Sequence, residues 1–293
     1  MRFITNLHPV VLICYLAVVL GIVMFTTNPI LIGLALLGAV LFAIGGEGFI
    51  AMRKTFLFAG LLIILVTLTN PLFIHNGVTE LFFLFGRVVT LESLCYGVYA
   101  GVMLASIVLW FRAYSFVMTS DKFLYLFGRP FPRLSLVLSM AMRFIPMFII
   151  QLKAINQVQK TMGIYSGKSI IDRFLAGSRV FSSILTWSLE NAIGTAESMN
   201  ARGYGLPFRS SFSMFRFTKR DAIILALIAT LTTLTAIGAI NGDLYFYYYP
   251  AISSFKSTPL FFISTTAAAT IMLLPAVMQI AERRLWKSYV SKI

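Results

Sequence analysis

Acidic residues are scarce in this sequence. Ten Asp and Glu stand against 24 Lys and Arg in 293 residues, and charged residues together make up only 12%. An ordinary soluble domain carries about a quarter charged residues, so that class is excluded. Few carboxylates remain for acid–base chemistry. Glu47, Glu92 and Glu190 each stand alone, where a membrane enzyme would need paired acids, a His cluster or a nucleophile set. The two histidines, His8 and His75, fall on opposite faces of the layout derived below and cannot share a metal. The two cysteines, Cys14 and Cys95, both sit in apolar runs, where thiols act as packing residues. No disulfide, metal site or cofactor is expected. A Gly-x-x-x-x-Gly-Lys-Ser/Thr loop is missing, which excludes ATP binding by that route. Repeats of 20–50 residues and low-complexity linkers are missing too.

What is present is apolar. Hydrophobic residues make up 59% of the chain and the mean hydropathy is +0.88. Several runs approach or reach the roughly 20 residues that cross a bilayer as a helix. They do not alternate polar with apolar, so a β-barrel is excluded. In lipid such runs must satisfy their own backbone hydrogen bonds, which makes them helices. The chain therefore reads as an all-α, multi-pass membrane protein. Six spans are predicted at about 9–25, 30–44, 55–69, 91–111, 222–240 and 259–280. The first is read as a retained span and not a cleaved signal, since no small-residue cleavage site follows it.

Charge sets the expected orientation. Residues 112–220 hold 15 of the 24 basic residues and four acids, Asp121, Asp172, Glu190 and Glu197. Such clustering marks a cytoplasmic face. Arg2, Arg53-Lys54 and Glu282-Arg283-Arg284 fall on that same side, so both termini are expected in the cytoplasm of a cell-membrane protein. The Asn28 turn, the loop with His75 and the tyrosine-rich stretch Tyr245, Tyr247, Tyr248 and Tyr249 fall outside. Anionic lipid and an acidic protein partner account for the positive charge, and no nucleic-acid partner is expected. The organisation that follows is 1–112 for spans one to four, 113–220 for a cytoplasmic domain, and 221–293 for spans five and six.

The cytoplasmic segment has its own helices. Ser120 is a plausible cap for a short helix over 121–127, with Gly128 as its left-handed stop. A long helix over about 134–163 is apolar in its first half and polar on one side in its second, and Pro146 should kink it. Another long helix, over about 169–203, starts at a capping-box-like Ser169 and Asp172. Ser188, Ala192 and Ala196 form a small-residue row along it, and the two long helices are expected to cross there. Both helices stop at glycine: Thr161-Met162-Gly163 and Ala201-Arg202-Gly203. Arg202 complements the negative end of the helix dipole, and a guanidinium fixed at a helix tip can also fork onto another protein's carboxylate. The spacing supports both roles equally.

At these residues the sequence resembles a known family. Met199-Asn200-Ala201-Arg202-Gly203-Tyr204-Gly205 is similar to the second Ala-Arg-Gly motif of the transmembrane T component of energy-coupling-factor (ECF) transporters, the EcfT/CbiQ family. Asn70-Pro71-Leu72-Phe73 with His75 and Gly77, and Ser120-Asp121-Lys122 on to Ser139-Met140-Ala141-Met142-Arg143-Phe144-Ile145-Pro146, are similar to its outer loop and to the start of its coupling domain. The resemblance implies a coupling subunit with no catalysis of its own. It implies two partner ABC ATPases that bind the ATP, and one small membrane-embedded S component that holds a vitamin or metal ion. It also implies that the crossed helix tips, Ala201, Arg202 and Gly203 on one and Thr161, Met162 and Gly163 on the other, dock on the ATPases. The family has arginine at the first tip as well; here Met162 stands there. A channel or transporter working alone would need polar residues through the spans or broken helices. A conventional ABC permease would use a shorter coupling helix between two spans.

Overall fold

The computed structural model describes residues 7–74, 77–84, 87–128, 130–163, 170–206, 215–254 and 258–290. Among them are nine helices and one antiparallel hairpin: α1 (Pro9–Phe25), α2 (Pro29–Glu47), α3 (Phe49–Phe73), β1 (Glu80–Leu84), β2 (Arg87–Thr90), α4 (Leu91–Val117), α5 (Ser120–Gly128), α6 (Pro132–Thr161), α7 (Ile170–Ala201), α8 (Lys219–Ile240) and α9 (Pro259–Val290). The fold is nearly all-α. Its contacts divide it into two units, Met1–Phe123 with Phe215–Ile293, and Leu124–Met214.

Six helices are long and apolar enough to cross a membrane: α2, α3, α4, α6, α8 and α9. The protein is thus of multi-pass type, but the six are not quite those expected. α1 has 17 residues and falls just short, while α6 passes the same test. At 1.5 Å per residue α1 reaches about 26 Å, the lower edge of what spans a hydrocarbon core. It is packed within the first unit, with Val11, Val19 and Val23 buried. α6 qualifies because its first half is apolar; no residue of it is buried.

The first unit is pinned by polar tips that donate to carbonyls of neighbouring helices. Trp110 of α4 is buried and its indole N–H donates to Ala35 O of α2 at 3.1 Å. Tyr15 of α1 donates to Ile271 O of α9 at 3.0 Å, and Gln279 of α9 to Phe42 O of α2 at 3.3 Å. A carbonyl has two lone pairs, so these bonds can add to the helical ladder without breaking it.

α3 and α4 meet along a glycine seam. A Cβ added at Gly101 would lie 3.0 Å from the Ile63 backbone, and one at Gly97 would lie 3.1 Å from Thr67 O. Gly97-Val98-Tyr99-Ala100-Gly101 is a Gly-x-x-x-Gly spacing, which lets helix backbones approach closely. The seam also explains a correction. The third run was expected to end at Asn70-Pro71, yet α3 continues through Pro71 to Phe73. Proline there leaves Thr67 O without its helical donor. That carbonyl lies against Gly97, and Asn70 is held by a 2.6 Å bond from its side-chain N–H to Ser93 O.

The next stretch, read as the loop with His75, contains the hairpin, with Phe83 opposite Val88 and a register shift between Glu80 and Phe82. Beside it Glu92 is buried. Its carboxylate accepts from the Thr79 hydroxyl at 2.7 Å and from the Thr79 N–H. His75 lies outside the described residues.

The tyrosine stretch, expected on the outer side, divides between exposed and buried rings. Tyr245 and Tyr247 are exposed, but Tyr248 is buried against Tyr99 and Tyr96, with ring centroids 5.1 and 5.6 Å away. The Phe246 N–H donates to the Thr27 hydroxyl at 2.8 Å, and the Tyr99 hydroxyl to Thr26 O at 2.9 Å. Burial pushes the Tyr248 phenol above its usual range, and the neighbouring Tyr99 phenol adds to this.

α8 starts at a capping box. The Thr218 side chain accepts from Asp221 N–H while the Asp221 carboxylate accepts from Thr218 N–H at 2.9 Å. The other oxygen of Asp221 accepts from His8 N–H at 3.1 Å, so one buried carboxylate serves the starts of both α1 and α8. α5 corrects two expectations: the residue before the helix is Thr119, whose carbonyl takes the Phe123 N–H, and Gly128 stays helical. Lys122 is buried and donates to Val117 O at 3.0 Å, and burial lowers its ammonium pKa.

Candidate functional site: two helix tips

The second unit holds α6 and α7. The Phe148 and Trp187 rings meet edge to face at 5.6 Å. A groove of about 570 Å³ opens from this contact, lined by Met140, Arg143 and Met147 of α6 and by Glu190, Gly194 and Arg202 of α7, among others. Residues before Phe148 on one helix thus face residues after Trp187 on the other, so the two helices run in opposite senses. Met162 is 14 residues beyond Phe148, and Arg202 is 15 beyond Trp187. At 1.5 Å per residue the tips leave the ring contact by about 21 and 22 Å, towards opposite ends of the pair.

The two tips share one backbone design. At α7, Arg202 N–H reaches Ser198 O at 3.2 Å and closes the last turn. Gly203 N–H reaches Asn200 O at 3.0 Å, and Tyr204 N–H reaches Met199 O at 3.0 Å. That 6→1 and 5→2 pair is a Schellman motif, with Gly203 in the left-handed region at φ +78°. Arg202 is therefore the C-cap residue. At α6, Met162 N–H reaches Val158 O at 3.0 Å, Gly163 N–H reaches Lys160 O at 3.1 Å, and Gly163 has φ +74°. Met162 is the C-cap there. Pro146 lies inside α6, which runs unbroken past it. Ser169, read as the cap of α7, is outside the described residues.

All six tip residues except Gly203 are exposed, and Gly203 is half-buried. Met162 is 69% exposed, which leaves an apolar side chain in the open at a helix end. The Thr161 hydroxyl turns back to Val158 O at 2.8 Å. Arg202 makes no ion pair among the described residues. The helix dipole explains a cation near each end, and Lys160 supplies one in the last turn of α6. It does not explain why equivalent C-caps carry methionine in one helix and arginine in the other.

The small-residue row is placed differently from its expected role. Ser188 is half-buried, while Ala192 and Ala196 are exposed beside Leu185, Leu189 and Ile193. The contacts with α6 come from the adjoining face, through Trp187 and the groove lining. That face carries one aromatic, Trp187, among polar and small residues, while the apolar strip with Phe174 and Phe181 is exposed. The groove itself, with Arg143 and Glu190, was missed. Its signal was the spacing Trp187, Asn191, Gly194, Ser198 and Arg202, which marks one helix face.

No family model matches the sequence. Over 118 residues, 40% of this chain, it is 30% identical to the energy-coupling factor transporter transmembrane protein EcfT of Lactobacillus helveticus (strain DPC 4571). The chain is similar to EcfT. The match spans 43% of that relative's length.

Proposed function

We propose that this protein is the transmembrane coupling (T) component of an ECF-type ABC importer. The spans hold α6 and α7 at the cytoplasmic membrane face, with both chain termini in the cytoplasm of a cell-membrane protein. Two partner ATPases bind and hydrolyse ATP, and their closure pushes on the helix tips. The motion passes to a small membrane-embedded S component, which releases a vitamin or a transition metal ion inside. The chain needs no cofactor of its own.

The observation that supports this reading best is the exposed Arg202 on a Schellman-stopped helix, in a chain similar to EcfT. Two tips at opposite ends of one helix pair suit two separate subunits, since one socket cannot receive both. A permease subunit of another ABC-type transporter is the second reading, because it also needs a cytoplasmic coupling helix. Two long helices in one 91-residue unit, Leu124–Met214, favour the T component.

Purification of the tagged chain from native membranes in mild detergent tests the proposal. Two P-loop ATPases and one small membrane protein are expected with it. Recovery of the chain alone, or turnover of a substrate by the isolated chain, contradicts it. Arg202→Ala is expected to lower ATPase recovery about tenfold while the spans stay folded, less than the roughly 2–5 kcal/mol of a lone buried charge pair because the second tip still holds. Normal recovery and uptake would remove Arg202 from the dock.

A further inference from the structure

The two tips are alike in backbone and unlike in chemistry. Each is a C-cap followed by a left-handed glycine. One presents a guanidinium, Arg202, with no ion-pair partner among the described residues. The other presents the thioether of Met162, 69% exposed, on a tip whose dipole already has Lys160. Resting on the coupling reading above, we infer that the tips fit unlike sockets. The α7 socket carries a carboxylate that takes the Arg202 fork. The α6 socket is apolar and takes Met162, and it offers no carboxylate for that side chain. The partner pair therefore presents two different receiving surfaces to one coupling subunit, and this chain can seat on it in one orientation only.

The physical consequences differ for each dock. A guanidinium–carboxylate pair gains its specificity from geometry and loses strength when salt screens it. An apolar socket holds a flexible methionine by area, and salt does not weaken that. In the intact assembly the two docks act together, so the second contact offsets part of the weakening of the first and blurs its salt dependence. Each dock must be read with the other disabled.

The test uses the full-length tagged chain in mild detergent, with ATPase recovery measured at about 0.1 M and about 1 M KCl. Over that range the screening length falls from about 10 Å to about 3 Å. Met162→Glu leaves only the Arg202 tip, and its recovered ATPase is expected to fall about tenfold at high salt. Arg202→Glu leaves only the Met162 tip, and its recovery is expected to change less than about twofold. Equal salt responses in the two variants overturn the inference. Both residues are exposed, and monodisperse elution of each variant confirms that it folds. If the unsubstituted chain recovers no ATPase at either salt, the coupling reading itself fails, and that outcome is distinct from equal salt responses.

Discussion

Arg202 keeps its place because the backbone around it cannot continue as helix. Gly203 sits at φ +78°, where a Cβ costs about 1–2 kcal/mol. Gly203→Ala is expected to fray the end of α7 and to lower ATPase recovery towards the Arg202→Ala level. Thermal unfolding of the rest of the chain should not change. The same residue scale contains a stability test unrelated to the tips. Asp221 accepts from Thr218 N–H, the Thr218 hydroxyl and His8 N–H. Asp221→Ala leaves those donors unsatisfied in a buried place and should cost about 1–3 kcal/mol, read as a lower unfolding midpoint in detergent. Asp221→Asn, which keeps an acceptor oxygen, should cost less. The tip was readable in the sequence because a glycine stop and its preceding residue lie side by side. The Asp221–His8 bond was not, because its partners are 213 residues apart and neither is unusual where it stands.

Among the elements, α3 and α4 show what sets helix approach in this chain. Gly101→Val is expected to force the pair apart, since even the first added carbon would lie 3.0 Å from the Ile63 backbone. Overpacking of this kind costs about 1–3 kcal/mol. Gly60→Ala on α3 is the control: nothing lies within 4 Å of an added Cβ there. Removing a helix-interior glycine should leave stability unchanged or raise it by up to about 1 kcal/mol. A lower midpoint for Gly60→Ala than for Gly101→Val would refute the seam. The spans were legible because a lipid-facing helix must be apolar on every side, a signal that survives errors at the ends. Their limits were not. Pro71 was read as a break, yet it sits in the last turn of α3, where one lost hydrogen bond is tolerable. The face of α7 that meets α6 was hidden because Trp187 stands on it among Asn191, Gly194 and Ser198, which carry no apolar pattern. The hairpin was hidden in an aromatic stretch whose alternation is too short to separate from an interfacial loop.

For the whole molecule, the membrane class follows from composition, and the proposed coupling role rests on two tips 40 residues apart in sequence. The α6–α7 unit would be an odd burden for a protein acting alone. It exposes Leu134, Val137, Ile145, Phe174, Phe181 and Leu189, and among its described residues only Ala176 and Val180 are buried. Exposed apolar faces on this scale mark interaction surfaces, with lipid or with protein. The most direct measurement places a photo-crosslinking amino acid at position 202 of the full chain in native membranes. The account predicts an adduct with a P-loop ATPase that survives high-salt washing before illumination, because the apolar Met162 dock still holds the complex. Adducts confined to lipid or to the chain's own residues would contradict it.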